Sequence, residues 1–389
     1  MQSRTVFRAV CIAIFGSWIF VAVVAAQSRG ALLQAKKDAE ARGFIFAASH
    51  DEIVAKAKQE GKLVVHSSQD AAAIEATTKA FNRKYPFIDV NASEISGTDT
   101  YLRMIGELKI GKVTDWDVNY VAFDYYDDYL PYQKKFDLLG MAKAGVLKMP
   151  REMIDPINRH IVALQTNMQA LAYNKKLVPK DKVPTTFEDL LKPEFKGKKF
   201  ALDIRPRAIA ALVPAWGLEK TLTYAKQLSA QDPVWARGDS RTLPYISGGE
   251  VTMALGLNYK SYWRFKKKDV QDTLDARVIE PVPVRLTEAE GISATAQNPY
   301  AALLWLEFQA SPEGQAILDA TDLAASHLTS GSFHEKALRG KQLSVIGWKD
   351  YPPMENYLKE VVKAFGFPRT DRQALSSRLG QLQTIGDKK

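Results

Sequence analysis

The sequence predicts an α/β protein of two domains, and three features carry that prediction. Short apolar runs alternate with helix-like segments from Asp51 to Ala122, the pattern of a parallel sheet with crossover helices. The alternation restarts near His160 and builds a second unit. The chain has 389 residues, more than one ordinary core holds and enough for about two domains.

Taken in order, Asp51 to Gln59 reads as a short helix capped by Ser49 and ended by Gly61. Lys62 to His66 is a strand, and Ser67-Ser68-Gln69-Asp70 turns it into a helix from Ala71 to Tyr85. Ile88 to Ile95 is the next strand, and Gly97-Thr98-Asp99 opens a helix through Ile110. Trp116 to Ala122 is a third strand, running into the aromatic segment Phe123 to Tyr132. In the second unit, Ile161–Leu164 and Ala170–Asn174 read as two strands and Thr185–Leu191 as a short helix. Lys199–Asp203 and Val251–Leu255 read as strands, each followed by a helix, Arg205–Trp216 and Tyr259–Lys268. An apolar strand near Val278–Val284 returns to the first unit, ahead of helices at Pro299–Ala310 and Pro312–Ala320. The expected division is 1–26 signal peptide, 27–50 leader, 51–160 first lobe, 161–277 second lobe and 278–325 return to the first. Residues 326–389 form a C-terminal helical segment packing on the lobes, frayed from Gln373 onward. A chain that crosses between units at least twice builds a hinge, and hinge closure traps ligands.

The N-terminus reads as an export signal. Arg4 and Arg8 precede an apolar run from Ala9 to Val24, closed by Ala25-Ala26 before Gln27. The single cysteine, Cys11, lies inside that signal. A mature chain cut after Ala26 would carry no thiol, which excludes disulfides, thiolate metal sites and cysteine nucleophiles and suits an oxidising compartment. No later stretch is apolar for long enough to span a bilayer, so a soluble periplasmic protein is expected. The net charge of +9 is scattered; the one dense run, Lys266-Lys267-Lys268, is balanced by Asp269 and Asp272. Nucleic-acid readers concentrate charge on one face and interleave aromatics. Neither pattern is present, and nucleic acid is not an expected partner.

Enzyme signatures are missing from the sequence. The histidines, His50, His66, His160, His327 and His334, form no His-Glu-x-x-His arrangement. There is no Gly-x-Ser-x-Gly elbow, phosphate-binding loop or dinucleotide fingerprint. A carboxylate pair of the glycosidase kind need not be close in sequence, so a secreted hydrolase with a cleft pair stays as the alternative of another class.

Two segments carry a family pattern. The first runs Tyr173-Asn174-Lys175-Lys176-Leu177-Val178-Pro179, Pro184-Thr185-Thr186-Phe187-Glu188-Asp189-Leu190-Leu191 and Pro193-Glu194-Phe195-Lys196-Gly197-Lys198. The second is Phe308-Gln309-Ala310-Ser311-Pro312-Glu313-Gly314-Gln315. Together they resemble the extracellular solute-binding proteins of ABC importers, in the branch that includes ferric-iron binders. The resemblance implies a two-lobed type II periplasmic-binding fold, a ligand cleft between the lobes, delivery to a membrane permease and a monomer without a cofactor. Its segments are scaffold, since strand exits and caps account for them, and they do not identify the cargo.

Candidate ligand contacts come from strand ends, where parallel sheets present ligands to helix N-termini. Ser67 and Ser68 close the first strand, Gly97 and Thr98 the second, and each pair can serve either a ligand or a cap. Arg205 follows a buried strand and suits a carboxylate or phosphate; a salt bridge to Asp203 is the competing role. Arg241, Asn258 and Tyr259 occupy further strand exits, and Tyr125 sits in the aromatic segment. In ferric-binding relatives two adjacent tyrosines near Tyr259 supply phenolates; here Lys260 intervenes before Tyr262. Those relatives also offer a histidine after the first strand, where this chain has Gln69-Asp70. A metal set would therefore be Asp70, Tyr259 and Tyr262, with ferric iron as the alternative ligand to an organic anion.

Overall fold

The computed structural model describes residues 30–112 and 115–366. The proposed signal peptide with Cys11, and the tail from Gln373, lie outside the described residues. In chain order the strands are β1 Lys62–Ser67, β2 Asp89–Glu94, β3 Val118–Tyr120, β4 Val162–Asn174, β5 Ala201–Asp203 and β6 Val234–Ala236. They continue with β7 Met253–Asn258, β8 Leu274–Arg277, β9 Val282–Ile292 and β10 Leu343–Ile346. The longer helices are α1 His50–Glu60, α2 Ala71–Lys84, α3 Thr98–Lys109, α4 Leu218–Ser229 and α5 Asp239–Gly248. They are followed by α6 Tyr259–Lys266, α7 Pro299–Ala310, α8 Pro312–Asp322 and α9 Tyr351–Ala364.

The chain divides into two compact units. Unit 1 holds the segments up to Val121, Tyr129–Ala163 and Ala289–Gly314; unit 2 holds Ala122–Asp128, Leu164–Glu288 and the segment from Gln315 onward. The return to unit 1 thus spans 289–314 rather than 278–325, and Tyr125 belongs to unit 2 rather than to the first lobe. The C-terminal segment is part of unit 2.

In unit 1, β1 is flanked by β2 and β3, both parallel to it, and the end of β9 runs antiparallel to β3. Local sequence explains the helices. Ser49 caps α1 by accepting from the Glu52 amide, and Gly61 stops it in the left-handed region. Asp70 caps α2 by accepting from the Ala73 amide. Phe81 on α2 packs edge-on to Trp305 and Phe308 of α7, whose residues are nearly all buried. Burying α7 buries Glu307 too, and it is satisfied: one oxygen accepts from the Lys148 amide at 2.6 Å and the other meets His50 at 2.8 Å.

In unit 2, β4 pairs antiparallel with β7 and β8, while β7, β5 and β6 run parallel; β10 lies parallel to the start of β9. The stretches expected as two strands are one, Val162–Asn174. Its polar middle is buried and bonded, Thr166 to His327 and Gln165 to Lys260. The helix expected over Arg205–Trp216 is two short ones, Arg207–Ala210 and Val213–Trp216; Pro214 cannot donate to a continuing ladder. The core wraps Phe187, Leu190, Phe200, Leu212, Tyr224 and Leu228, and α9 joins it through Val361 and Phe365.

Candidate solute site

The three parallel strands of unit 2 end together, and each hands the chain to a helix start. β5 ends at Asp203, β6 leads through Gly238 into α5, and β7 ends at Asn258, which caps α6 by accepting from the Lys260 amide at 3.0 Å. A cavity of about 420 Å³ opens where they meet, lined from β5 by Asp203, Arg205 and Arg207 and from the other strands by Asp239, Asn258 and Arg285. Strand ends and helix N-termini supply backbone N–H groups and positive dipole ends, so the frame favours negative charge before any side chain is counted.

The side chains sharpen that preference. One oxygen of Asp203 accepts from the Arg205 amide at 2.8 Å, and the other accepts from the Gly238 amide at 2.9 Å, clasping the loops after β5 and β6. Its carboxylate is 3.8 Å from Arg205 Nε, a loose exposed contact that leaves the guanidinium available. Asp239 accepts from the Asn258 amide at 3.1 Å and from the Ser261 hydroxyl. Burial, aided by Asp203, pushes its carboxyl up to about 6 against those bonds and the pull of Arg205. Arg285, from β9, has a fully buried Nε that makes no hydrogen bond. The Asn167 side-chain oxygen is likewise buried and unbonded. Gly256 lets β7 approach the short helix after β5: it sits at φ +79°, and a Cβ there would lie 2.4 Å from Ala208 Cβ.

Of the residues expected at a ligand, Arg205 and Asn258 line this cavity. Tyr125 lines a second cavity of unit 2, of about 470 Å³, which shares Arg207 and Arg285 with the first. Arg241 stands exposed in the first turn of α5, beyond both linings. Ser67, Ser68, Gly97, Thr98 and Asp70 belong to unit 1. Ser67 is 1% exposed, and its hydroxyl donates to Glu290 and accepts from the Gln69 amide. Asp70 is engaged as the α2 cap, and Gly97 takes the N-cap position of α3 at φ +87°.

The tyrosines of the conditional metal set have packed surroundings. Tyr262 is buried in an apolar cluster with Leu243, Ile246 and Leu257, and Tyr259 packs against Phe333 at 5.1 Å and Tyr262 at 5.4 Å. Burial first, and then Asp275, raises both phenols above the ordinary tyrosine range. Lys260, standing where the adjacent tyrosine would be, reaches Asp322 at 2.6 Å, and Arg264 clasps the same carboxylate with two bonds. Sequence reasoning missed Asn167, Gln169, Arg207, Asp239, Ser261 and Arg285. Two carried a readable signal: Arg207 follows Arg205 in the same strand exit, and Arg285 interrupts the apolar stretch Val282–Leu286 at the start of β9.

Residues 126–351 match the family model described as bacterial extracellular solute-binding protein. The chain belongs to this family. It is a solute-binding component of an ABC import system, and members of the family are binding proteins, whose place is outside the cytoplasmic membrane. Solved structures agree on the two-lobed α/β periplasmic-binding fold. Iron-bound HitA from Pseudomonas aeruginosa is 20% identical with a TM-score of 0.57, over 79% of this chain and 99% of that one. Ferric iron-binding protein A of Mannheimia haemolytica, in an open conformation, is 20% identical with a TM-score of 0.62, over 79% and 100%. The substrate-binding protein of an ABC transporter from Agrobacterium tumefaciens is 18% identical with a TM-score of 0.59, over 79% and 96%. No curated protein matches the chain significantly in sequence. Among the described residues no helix is long and apolar enough to cross a membrane.

Proposed function

We propose that this solute-binding protein captures a small organic anion in the periplasm and passes it, unaltered, to an ABC permease in the inner membrane. The observation that carries the reading is the unit 2 cavity, where three arginines face two aspartates at the convergent ends of β5, β6 and β7. Arg285 is part of that lining, and its Nε is buried without a hydrogen bond. A buried donor without a partner costs about 1–3 kcal/mol, which an arriving carboxylate or phosphate-like group would recover. The proposed ligand contacts are Arg205, Arg207, Asn258 and Arg285, with Ser68, Gly97, Thr98, Tyr125 and Arg241 as secondary candidates at other strand and helix ends.

The ferric reading is disfavoured by charge. A trivalent cation would meet an arginine-rich lining, while Tyr259 and Tyr262 are packed into an apolar cluster away from that lining. Iron is what HitA from Pseudomonas aeruginosa holds; its similarity to this chain carries the fold and not the cargo.

Calorimetric titration of the purified protein tests the proposal. Simple organic acids should bind and be recovered intact, ferric citrate should bind no better than citrate alone, and Arg285→Ala should weaken acid binding by about 1.5–3 kcal/mol. Unchanged affinity in Arg285→Ala, or a preference for the ferric form, overturns it.

A further inference from the structure

We infer that the cavity at the ends of β5, β6 and β7 takes up its anion together with a proton, which Asp239 holds while the solute is bound. This rests on the anion reading above and adds the condition under which the same site fills. Among the described residues that line the cavity, only Asp203 and Asp239 can gain a proton near neutral pH. Arg205, Arg207 and Arg285 already carry theirs, and no histidine is in the lining.

The bonding of the two acids decides between them. Both oxygens of Asp203 accept from backbone N–H groups, those of Arg205 and Gly238. An N–H cannot turn from donor to acceptor, so a proton on either oxygen weakens a bond already made. Asp239 accepts one N–H, from Asn258 at 3.1 Å, and its other partner is the Ser261 hydroxyl. A hydroxyl donates to an ionised carboxyl and accepts from a neutral one, so Asp239 can gain a proton and keep both partners. The charges around it come from several elements. Asp203 and Arg205 act on it from the end of β5, and Arg207 and Arg285 share its lining. Arg241 on its own helix is exposed, and Lys260, beside Ser261, is held by Asp322 at 2.6 Å. Burial first, with Asp203 adding to it, already lifts the Asp239 carboxyl to about 6. A bound anion is a further negative charge in the same space of about 420 Å³ and lifts it again. Anion and proton therefore favour each other by equal factors, and affinity falls as pH rises from about 6.

The test titrates pentanoate and glutarate into the full-length protein by calorimetry, between about pH 6 and 8, where both probes stay ionised. Runs near pH 7 in two buffers of different ionisation enthalpy count the protons exchanged. The wild type should take up about half a proton for each acid bound, and its affinity should fall about tenfold across the range. Asp239→Asn offers an acceptor to the Asn258 amide and a donor to Ser261 without a charge. It should take up no proton and bind with the same affinity throughout. Wild-type binding without proton uptake, at an affinity that pH does not change, overturns the inference while the anion reading stands, and it needs no variant to be seen. Uptake that persists in Asp239→Asn overturns it equally, since another group would then hold the proton. If neither acid binds at any pH in the range, or if Arg285→Ala leaves their affinity unaltered, the anion reading fails and this inference falls with it.

Discussion

At the residue scale, Asp239 should give the protein a pH signature. Its carboxyl moves from 3.8 to about 6, mainly because burial disfavours its charge. The native state thus keeps a proton that the unfolded chain has already lost. Native protons outnumber unfolded ones across that window, so stability falls as pH rises from about 4 to 6, and the cost is complete above it. Asp239→Asn cannot ionise and should escape that cost. Urea denaturation at stepped pH should show the wild type losing about 1–3 kcal/mol relative to the variant between pH 4 and 7. Parallel profiles would mean that this carboxyl is not the source.

At the scale of elements, the site depends on how firmly the ends of β5 and β6 are held together, and Asp203 is the clasp. Each of its oxygens accepts a backbone N–H, one from the loop after β5 and one from the loop after β6. Asp203→Ala strands both donors and should cost about 1–3 kcal/mol of stability. It should also lower acid affinity about tenfold, since Arg205 hangs on the same loop. Affinity equal to wild type in a folded variant would show that β5 and β6 need no clasp. Much of this layer was legible in the sequence because the signals are local: Ser49, Asp70 and Asn258 announce helix starts, and each one caps as a side-chain acceptor. What stayed illegible is set by distant partners. β6 and β10 are too short to show a period, and the middle of β4 looks polar because its Gln165 and Thr166 are bonded to Lys260 and His327. A sequence reading sees the polar residues and breaks the strand; the fold supplies their partners and keeps it whole.

At the scale of the molecule, the cavity draws on segments near residues 167, 205, 239, 258 and 285, brought together by a sheet whose order departs from chain order. Strand-end logic reached Arg205 and Asn258 because Asn258 ends β7 and Arg205 lies two residues beyond β5. Arg285 and Asn167 lie within strands, and only the pairing of β4 and β9 into unit 2 shows which way they face. The C-terminal segment teaches the same lesson. It reads as a helical segment packing on the lobes; in the fold Val361 is fully buried, and Phe365 is 6% exposed with its ring 5.1 Å from Trp235. The Ser229 hydroxyl at the end of α4 donates to the Phe365 carbonyl at 2.9 Å. Helix α9 is therefore a wall of the unit 2 core, and it also carries Tyr351 and Glu355 into the second cavity. Phe365→Ala should cost about 3–5 kcal/mol by opening a void that α4 and α9 cannot both close. Hydrogen exchange should quicken in α4 and α9 and stay unchanged in α1 and α2, whose packing lies in unit 1. A loss below about 1 kcal/mol, or quickened exchange spread evenly over both units, would show that α9 is an appendage after all.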